Sequence, residues 1–267
     1  EKTINTIKGE IIGRDPFDRE WIWQRLWHMY GRYGASAGRP PGVQALSAVD
    51  IALWDIAGKA LGQPIYKLLG AYRDKIRIYA TSWPLPTPED YAKEALSCKQ
   101  RGITAYKLHV DPEIAIEACQ AVRQAVGDDM KLMLDHGTDD NREQALKVGR
   151  ELEKLNFYWF EEPLPDYDIE GLINLREKLD VPICGTEKVP LSMFSMPQYI
   201  IHRVLDIIRC DTVMSGGITP CKKIADMCDA FGVKCEIHLA NPIGNFANLH
   251  VECAVKNCEF YEMYWPE

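Results

Sequence analysis

Residues 103–136, ITAYKLHVDPEIAIEACQAVRQAVGDDMKLMLDH, hold a short apolar run closing in Lys107-Leu108-His109, a segment with one apolar helical face, and a second apolar run closing in Asp135. The outer pieces suit strands and the middle one an amphipathic helix. Outward from this stretch the same unit recurs. Beyond residue 74, strand-like runs close near Ser82, His109, His136, Glu162, Glu187, Asp211, His238 and Glu262, with a helix-length segment between each pair. YAKEALSCKQRG, REQALKVGRELEKL and KIADMCDAFG repeat the pattern of apolar residues three to four apart with polar residues opposite. Strand followed by helix, repeated, means a parallel sheet. Eight such strands close into a barrel, whose chemistry belongs at the strands' C-terminal ends.

Before residue 74 the composition is different. LLGAYRDK separates a helical, tryptophan-rich beginning from the alternating part, so the expected domains are 1–73 and 74–267. Asp15-Pro16 opens a helix signal leading into an aromatic face of Trp21, Trp27 and Tyr30, read as packing. From Gly42 onward, Leu46, Val49, Leu53, Ile56 and Ala60 recur at helical spacing until Gly62-Gln63-Pro64 stops the run. That helix is expected to bury one face.

The chain has 267 residues, 46% of them hydrophobic, which is enough for one large core and excludes disorder. Its net charge of -8 is spread rather than blocked, so no nucleic-acid or membrane-binding surface is expected. An anionic substrate then needs a local positive charge. No run approaches the roughly 18 apolar residues of a membrane span and no signal peptide opens the chain, so the reading is cytoplasmic. The nine cysteines are odd in number, and several, such as Cys184 and Cys210, sit in apolar runs. They read as reduced core residues, and no CxxC pair suggests a thiol-metal site.

The polar residues closing the strands are Lys107 and His109, then Asp135, Glu161, Glu187, Asp211, His238 and Glu262, at intervals of 26, 26, 26, 24, 27 and 24 residues from His109. One ionisable group at a strand end is ordinarily solvated or capped. Seven strands in succession delivering one is another matter. Asp135, Glu161 and Glu187 on neighbouring strands would repel strongly unless a cation sits among them. All-oxygen ligation suits a hard ion such as Mg2+, whereas zinc more often takes His or Cys. Lys107 and His109, two apart on a strand, are expected to point the same way, with the ammonium disfavouring protonation of the imidazole. His238 next to Asp211 completes an acid/base layout.

These residues resemble the enolase superfamily and, within it, the mandelate racemase subgroup, over most of the chain. AVDIALWDIAGKALGQPIYKLLG is similar to the end of that family's α+β capping domain, while FEEP carries Glu161, GTE carries Glu187 and HLANPIGNFANLH carries His238 in the family's order. The resemblance implies a (β/α)7β TIM-like barrel with a partial N-terminal α+β capping domain. It implies Mg2+ bound by Asp135, Glu161 and Glu187, a general acid/base in His238 paired with Asp211, and Glu262 on a substrate carboxylate oxygen. Substrates in the family are carboxylates with an acidic α-proton, removed to give an enolate. Homo-oligomers, dimers or octamers, are also expected from the resemblance.

One departure bears on the reaction. The racemase pattern is Lys-x-Lys, and here the triplet is Lys107-Leu108-His109. His109 either replaces the second lysine as a base or only orients substrate. A racemase needs a base on each face of the carbon, whereas one base and one acid suffice for dehydration. The leading expectation is therefore an acid-sugar dehydratase, with a racemase or epimerase of a 2-hydroxy acid, or an inactive metal-binding homologue, as alternatives. His136 alternates with Asp135 and reads as structural, and His28, His202 and His250 read as remote from the site. Relative to the family the chain begins late and stops early, so residues that select the substrate side chain are expected to be largely missing.

Overall fold

The computed structural model describes residues 2–31, 41–137, 141–187, 192–240 and 242–265. Eight strands run through it: β1 (Arg77–Thr81), β2 (Ala105–His109), β3 (Lys131–Asp135), β4 (Trp159–Glu161), β5 (Ile183–Gly185), β6 (Ile207–Cys210), β7 (Lys234–Ile237) and β8 (Phe260–Tyr264). They form one sheet in the order β7-β6-β5-β4-β3-β2-β1-β8, and the pairings from β8 through β1 to β6 are parallel. The helices are α1 (Lys2–Ile11), α2 (Arg19–Leu26), α3 (Pro41–Leu61), α4 (Ile65–Leu68), α5 (Pro88–Gln100), α6 (Ala115–Val126), α7 (Arg142–Lys154), α8 (Ile169–Lys178), α9 (Met196–Ile201), α10 (Ile218–Ala230) and α11 (Pro242–Glu252). One helix follows each of β1 to β7, so the fold is the expected (β/α)7β TIM-like barrel, preceded by a helical N-terminal region. No helix among the described residues is long and apolar enough to cross a membrane.

By contact the chain divides into two compact units. The first comprises Glu1–Ile76, Glu187–Pro197 and Arg209–Glu259, the second Arg77–Thr186, Gln198–Ile208 and Phe260–Glu267. In the second, the inward positions of seven strands, Tyr79, Ala105, Met133, Trp159, Cys184, Ile207 and Phe260, form one buried apolar layer. Bulky and small residues mix in that layer, as filling a barrel interior requires. The helices of this unit carry legible start signals. Thr87 precedes Pro88 and accepts from Asp90 N at 3.3 Å, Asn141 accepts from the amides of Glu143 and Gln144, and Asp168 accepts from Gly171 N at 3.1 Å.

In the first unit α3 buries Leu46, Val49, Leu53 and Ala57, while Ile56 and Ala60 are exposed. The expected stripe therefore holds at its start and is off by one residue at its end, a rotation of roughly 100° around the helix. The aromatic packing is also shifted. Trp23 stacks on Trp27 at 5.3 Å and Phe194 covers Trp27 at the same distance, whereas Trp21 is exposed with the Arg14 guanidinium 4.3 Å over its ring. The side chain of Tyr30 lies outside the described residues.

The polar side of α3 meets the start of α10. Asp50 accepts from Thr219 N at 2.9 Å and from its hydroxyl at 2.6 Å, and the Trp54 indole donates to the same hydroxyl. Gly217 makes room for this contact, since with φ +117° any Cβ there would stand 2.3 Å from Asp50 Oδ2. All nine cysteines are free and buried. Burial pushes the Cys98 thiol up to about 12 and raises Cys119 as well, so both stay protonated and behave as small apolar side chains.

Candidate active site

Thr81, Lys107, Asp135, Glu161 and Glu262 each lie two residues beyond a member of the apolar layer, on the same face of their strands. A polar layer thus follows the apolar one. Lys107 Nζ stands 2.8 Å from Glu262 Oε1, 3.1 Å from Glu161 Oε1 and 3.5 Å from Asp135 Oδ2. An ammonium has three N–H donors, and each here has a carboxylate. None of the four side chains is more than 8% exposed. Within this group of four, one positive charge against three negative leaves a formal excess of two negative charges out of water, which a further cation or bound protons would offset.

The supports of this group are local. The Trp159 indole donates to Glu161 Oε2 at 2.9 Å. His109 Nε2 lies 2.9 Å from Asp135 Oδ2, and its Nδ1 lies 3.0 Å from both Thr81 Oγ1 and the Ser82 carbonyl. The His109 amide donates to Ser82 Oγ and the Tyr91 hydroxyl donates to the His109 carbonyl, so ring and backbone are held together. Just past Glu161, Glu162 adopts a left-handed backbone with φ +44°, a conformation costing a non-glycine residue roughly 1 kcal/mol or more.

A second group lies in the other unit. His238 Nδ1 is 3.1 Å from Asp211 Oδ2, and Nε2 is 3.1 Å from Glu187 Oε2. Asp211 Oδ1 accepts from the amides of Val213 at 2.6 Å and Met214 at 2.5 Å. Both ring nitrogens thus face carboxylate oxygens, Nδ1 that of Asp211 and Nε2 that of Glu187. Asn248 of α11 ties the two backbones together, accepting from Thr212 N at 2.9 Å and donating to the His238 carbonyl at 2.7 Å. Arg209, fully buried, brings Nε to 4.0 Å from Glu187 Oε2.

Two expected strand ends are displaced. Glu262 lies inside β8, in register with Tyr79, and Glu187 follows β5 by two residues. Strand alternation alone would give the position facing with Cys184 to Thr186. The left-handed Thr186, φ +82°, interrupts that alternation just before Glu187. His136 is buried edge-on to Phe160, His250 stacks on Tyr66 with burial lowering its pKa, and His28 and His202 are exposed. Ser82, Asn248 and Arg209 were not singled out from sequence. An arginine inside the apolar run IIRC was the one visible signal, since such a charge must have a partner.

Residues 90–267 match the family model described as enolase C-terminal domain-like, and residues 2–70 match that of the mandelate racemase / muconate lactonizing enzyme N-terminal domain. The chain belongs to the enolase superfamily, among the proteins similar to mandelate racemase and muconate lactonizing enzyme. It is 39% identical over 255 residues to L-talarate/galactarate dehydratase of Salmonella typhimurium, covering 93% of this chain and 62% of that protein. It is 34% identical over 266 residues to arabinonate dehydratase of Saccharolobus solfataricus, covering 97% and 70%. Among solved structures, D-glucarate dehydratase from Agrobacterium tumefaciens complexed with magnesium superposes with a TM-score of 0.89 at 38% identity, covering 96% of this chain and 69% of that one. The chain thus spans about three fifths of the length of the talarate/galactarate enzyme.

A magnesium ion is implied by the family, and the donor set suits it. Among the described residues no three His, Cys, Asp or Glu side chains stand close enough to hold an ion as they are, Lys107 being the cation among the carboxylates it touches. Asp135, Glu161 and Glu187 nevertheless are all carboxylates and offer only hard oxygen donors, the kind a magnesium ion takes.

Proposed function

We propose that the chain is a Mg2+-dependent acid-sugar dehydratase, a hydro-lyase that removes the proton α to a carboxylate and passes through an enolate. The observation that carries the reading is a division of labour. One group concentrates buried negative charge around a lysine, and the other holds an imidazole by a buried carboxylate. The similarity to talarate/galactarate and arabinonate dehydratases supports the acid-sugar class.

Asp135, Glu161 and Glu187 would hold the ion, which when bound draws off the negative charge that a carboxylate gathers as its α-proton leaves. Lys107 adds a fixed positive charge, and Glu262 hydrogen-bonds a carboxylate oxygen of the substrate. His238, its Nδ1 tied to Asp211, exchanges a proton at Nε2, and His109 supplies the second proton-carrying group. One imidazole takes the α-proton and the other returns a proton to the departing β-hydroxyl, so water and an enol are formed. The enol tautomerises to the 2-keto-3-deoxy acid by losing its O–H proton and gaining one at the former β-carbon. We set the division between N-terminal region and barrel at residue 73, inside the interval 71–89 that neither family model covers, and expect a homo-oligomer.

Incubation with Mg2+ and a panel of acid sugars led by galactarate, in deuterated water, tests the proposal. Keto-acid formation is expected. Substrate returned with deuterium at the α-carbon and no keto acid would replace dehydration by racemisation or epimerisation.

A further inference from the structure

Asp211 is held by a peptide group, and that peptide group is held from outside the barrel. The Met214 amide donates to Asp211 Oδ1 at 2.5 Å, and the carbonyl of the same peptide unit, Val213 O, accepts from Ser47 Oγ of α3 at 2.6 Å. A peptide unit is planar and nearly rigid, so fixing its oxygen fixes the direction of its N–H. The hydrogen bonds also polarise one another along the chain from Ser47 through the peptide to Asp211 and on to His238 Nδ1, 3.1 Å away.

Ser47 has a choice of acceptor. Its single hydroxyl proton is within reach of Val213 O at 2.6 Å and of Val43 O, one helical turn back, at 2.9 Å. A hydroxyl has only one donor, so donation to Val43 takes this hydrogen bond from Val213 O and leaves the peptide held by the Met214 N–H on Asp211. The rest of the segment is pinned elsewhere, by the Trp23 indole on Gly216 O at 2.7 Å and by Asn248 on Thr212 N. Ser47 thus holds the carbonyl of one of the two peptide units whose N–H groups donate to the Asp211 carboxylate, the Val213 amide being the other donor.

We infer that Ser47, in the N-terminal helical region, is a positioning residue for the Asp211–His238 pair, acting through the Val213–Met214 peptide. The catalytic consequence rests on the proposed dehydratase reading, while the structural relay stands without it. Ser47 borders a groove of about 780 Å³ shared with Ala48, Ile51, Val213 and Phe246, and Ser47→Thr keeps the hydroxyl that Ser47→Ala removes.

The test compares Ser47→Ala with Ser47→Thr in the full chain. In Ser47→Ala the Met214 amide is expected to exchange with deuterium about tenfold faster, as for one lost hydrogen bond, with amides of α10 and β7 unchanged. With galactarate and Mg2+, kcat is expected to fall about tenfold at unchanged KM and unchanged Mg2+ affinity, the signature of a lost transition-state interaction. Ser47→Thr should restore both. A wild-type Met214 exchange rate in Ser47→Ala, a general rise in exchange over the whole unit, or a loss that threonine fails to restore overturns the relay. If the unsubstituted protein dehydrates no acid sugar, the reaction assignment falls and the amide exchange still decides the relay.

Discussion

The group around Lys107 and the group around His238 are built by different means. Lys107, Asp135, Glu161 and Glu262 are placed by strand alternation, each two residues beyond an apolar neighbour that fixes its strand in the core. Asp211 and His238 lie just past their strands, and their geometry comes from hydrogen bonds: a local turn in which the Val213 and Met214 amides donate to Asp211, and bonds reaching across the sequence from Asn248 and Ser47 that hold that turn. The first group is compact, buried and rich in negative charge. The second is a directed chain of donors and acceptors ending at one ring nitrogen. Chemistry that depends on charge is here set by secondary structure, and chemistry that depends on direction is set by tertiary contacts.

Substitutions that damage one kind of construction and spare the other break or sharpen this contrast. His238→Asn should show the largest effect, a loss of roughly 10²–10⁴-fold in α-proton exchange, because it removes a positioned acid/base while leaving the carboxylates in place. Asp211→Asn should act in the same direction. Mg2+ affinity measured by calorimetry should stay at the unsubstituted value in both, and an equal loss of metal binding would merge the two groups into one.

Lys107→Met attacks the other group. Removing one partner of a buried ion cluster leaves carboxylates without their counter-charge, a change costing about 3–5 kcal/mol of stability in denaturant titration without metal. Added Mg2+ should recover part of that loss, because an ion that binds only the folded state stabilises it by mass action. No recovery would mean that the excess negative charge is not a cation site. Glu187→Gln should weaken Mg2+ by at least roughly tenfold, on the scale of changes around metal ligands, with little effect on stability. Unchanged affinity would move the ion away from Glu187.

The same contrast decides which parts of the molecule are legible in its sequence. Period-two alternation and a repeat of about 26 residues make the barrel and its acidic strand ends visible in KLMLD, FEEP and GTE. That signal is local, and it survives even where Thr186 bends the backbone before Glu187. Ser47 and Asn248 carry no such signal, since a serine in a helix and an asparagine in another look like ordinary polar positions until the elements are packed. The same holds on α3, where helical spacing points to Ile56 as an inside residue and Ala57 is the buried one. Helical spacing locates a face only to within one position, and the polar contacts of Asp50 and Ser47 set the final rotation.

Asp50 leaves both groups untouched and offers a separate check on that tertiary construction. It is only 2% exposed, and burial raises its pKa to about 6, opposed by the hydrogen bonds from Thr219 and the charge of Arg19. The folded state therefore holds a proton that the unfolded chain, with an aspartate pKa of about 3.9, releases earlier. Stability from this group is fully present below about pH 3.9 and is lost as pH rises through about 6, the reverse of an ion-paired carboxylate. Asp50→Asn keeps an acceptor for the Thr219 amide and removes the titration. The stability of the unsubstituted protein relative to Asp50→Asn should accordingly drop by about 2 kcal/mol between roughly pH 4.5 and 7, nearly all of it below about pH 6.5. Paired denaturant titrations across that range measure the difference directly. A flat difference, or one rising with pH, would mean that Asp50 is ionised throughout and that α3 is joined to α10 by charge rather than by a protonated cap.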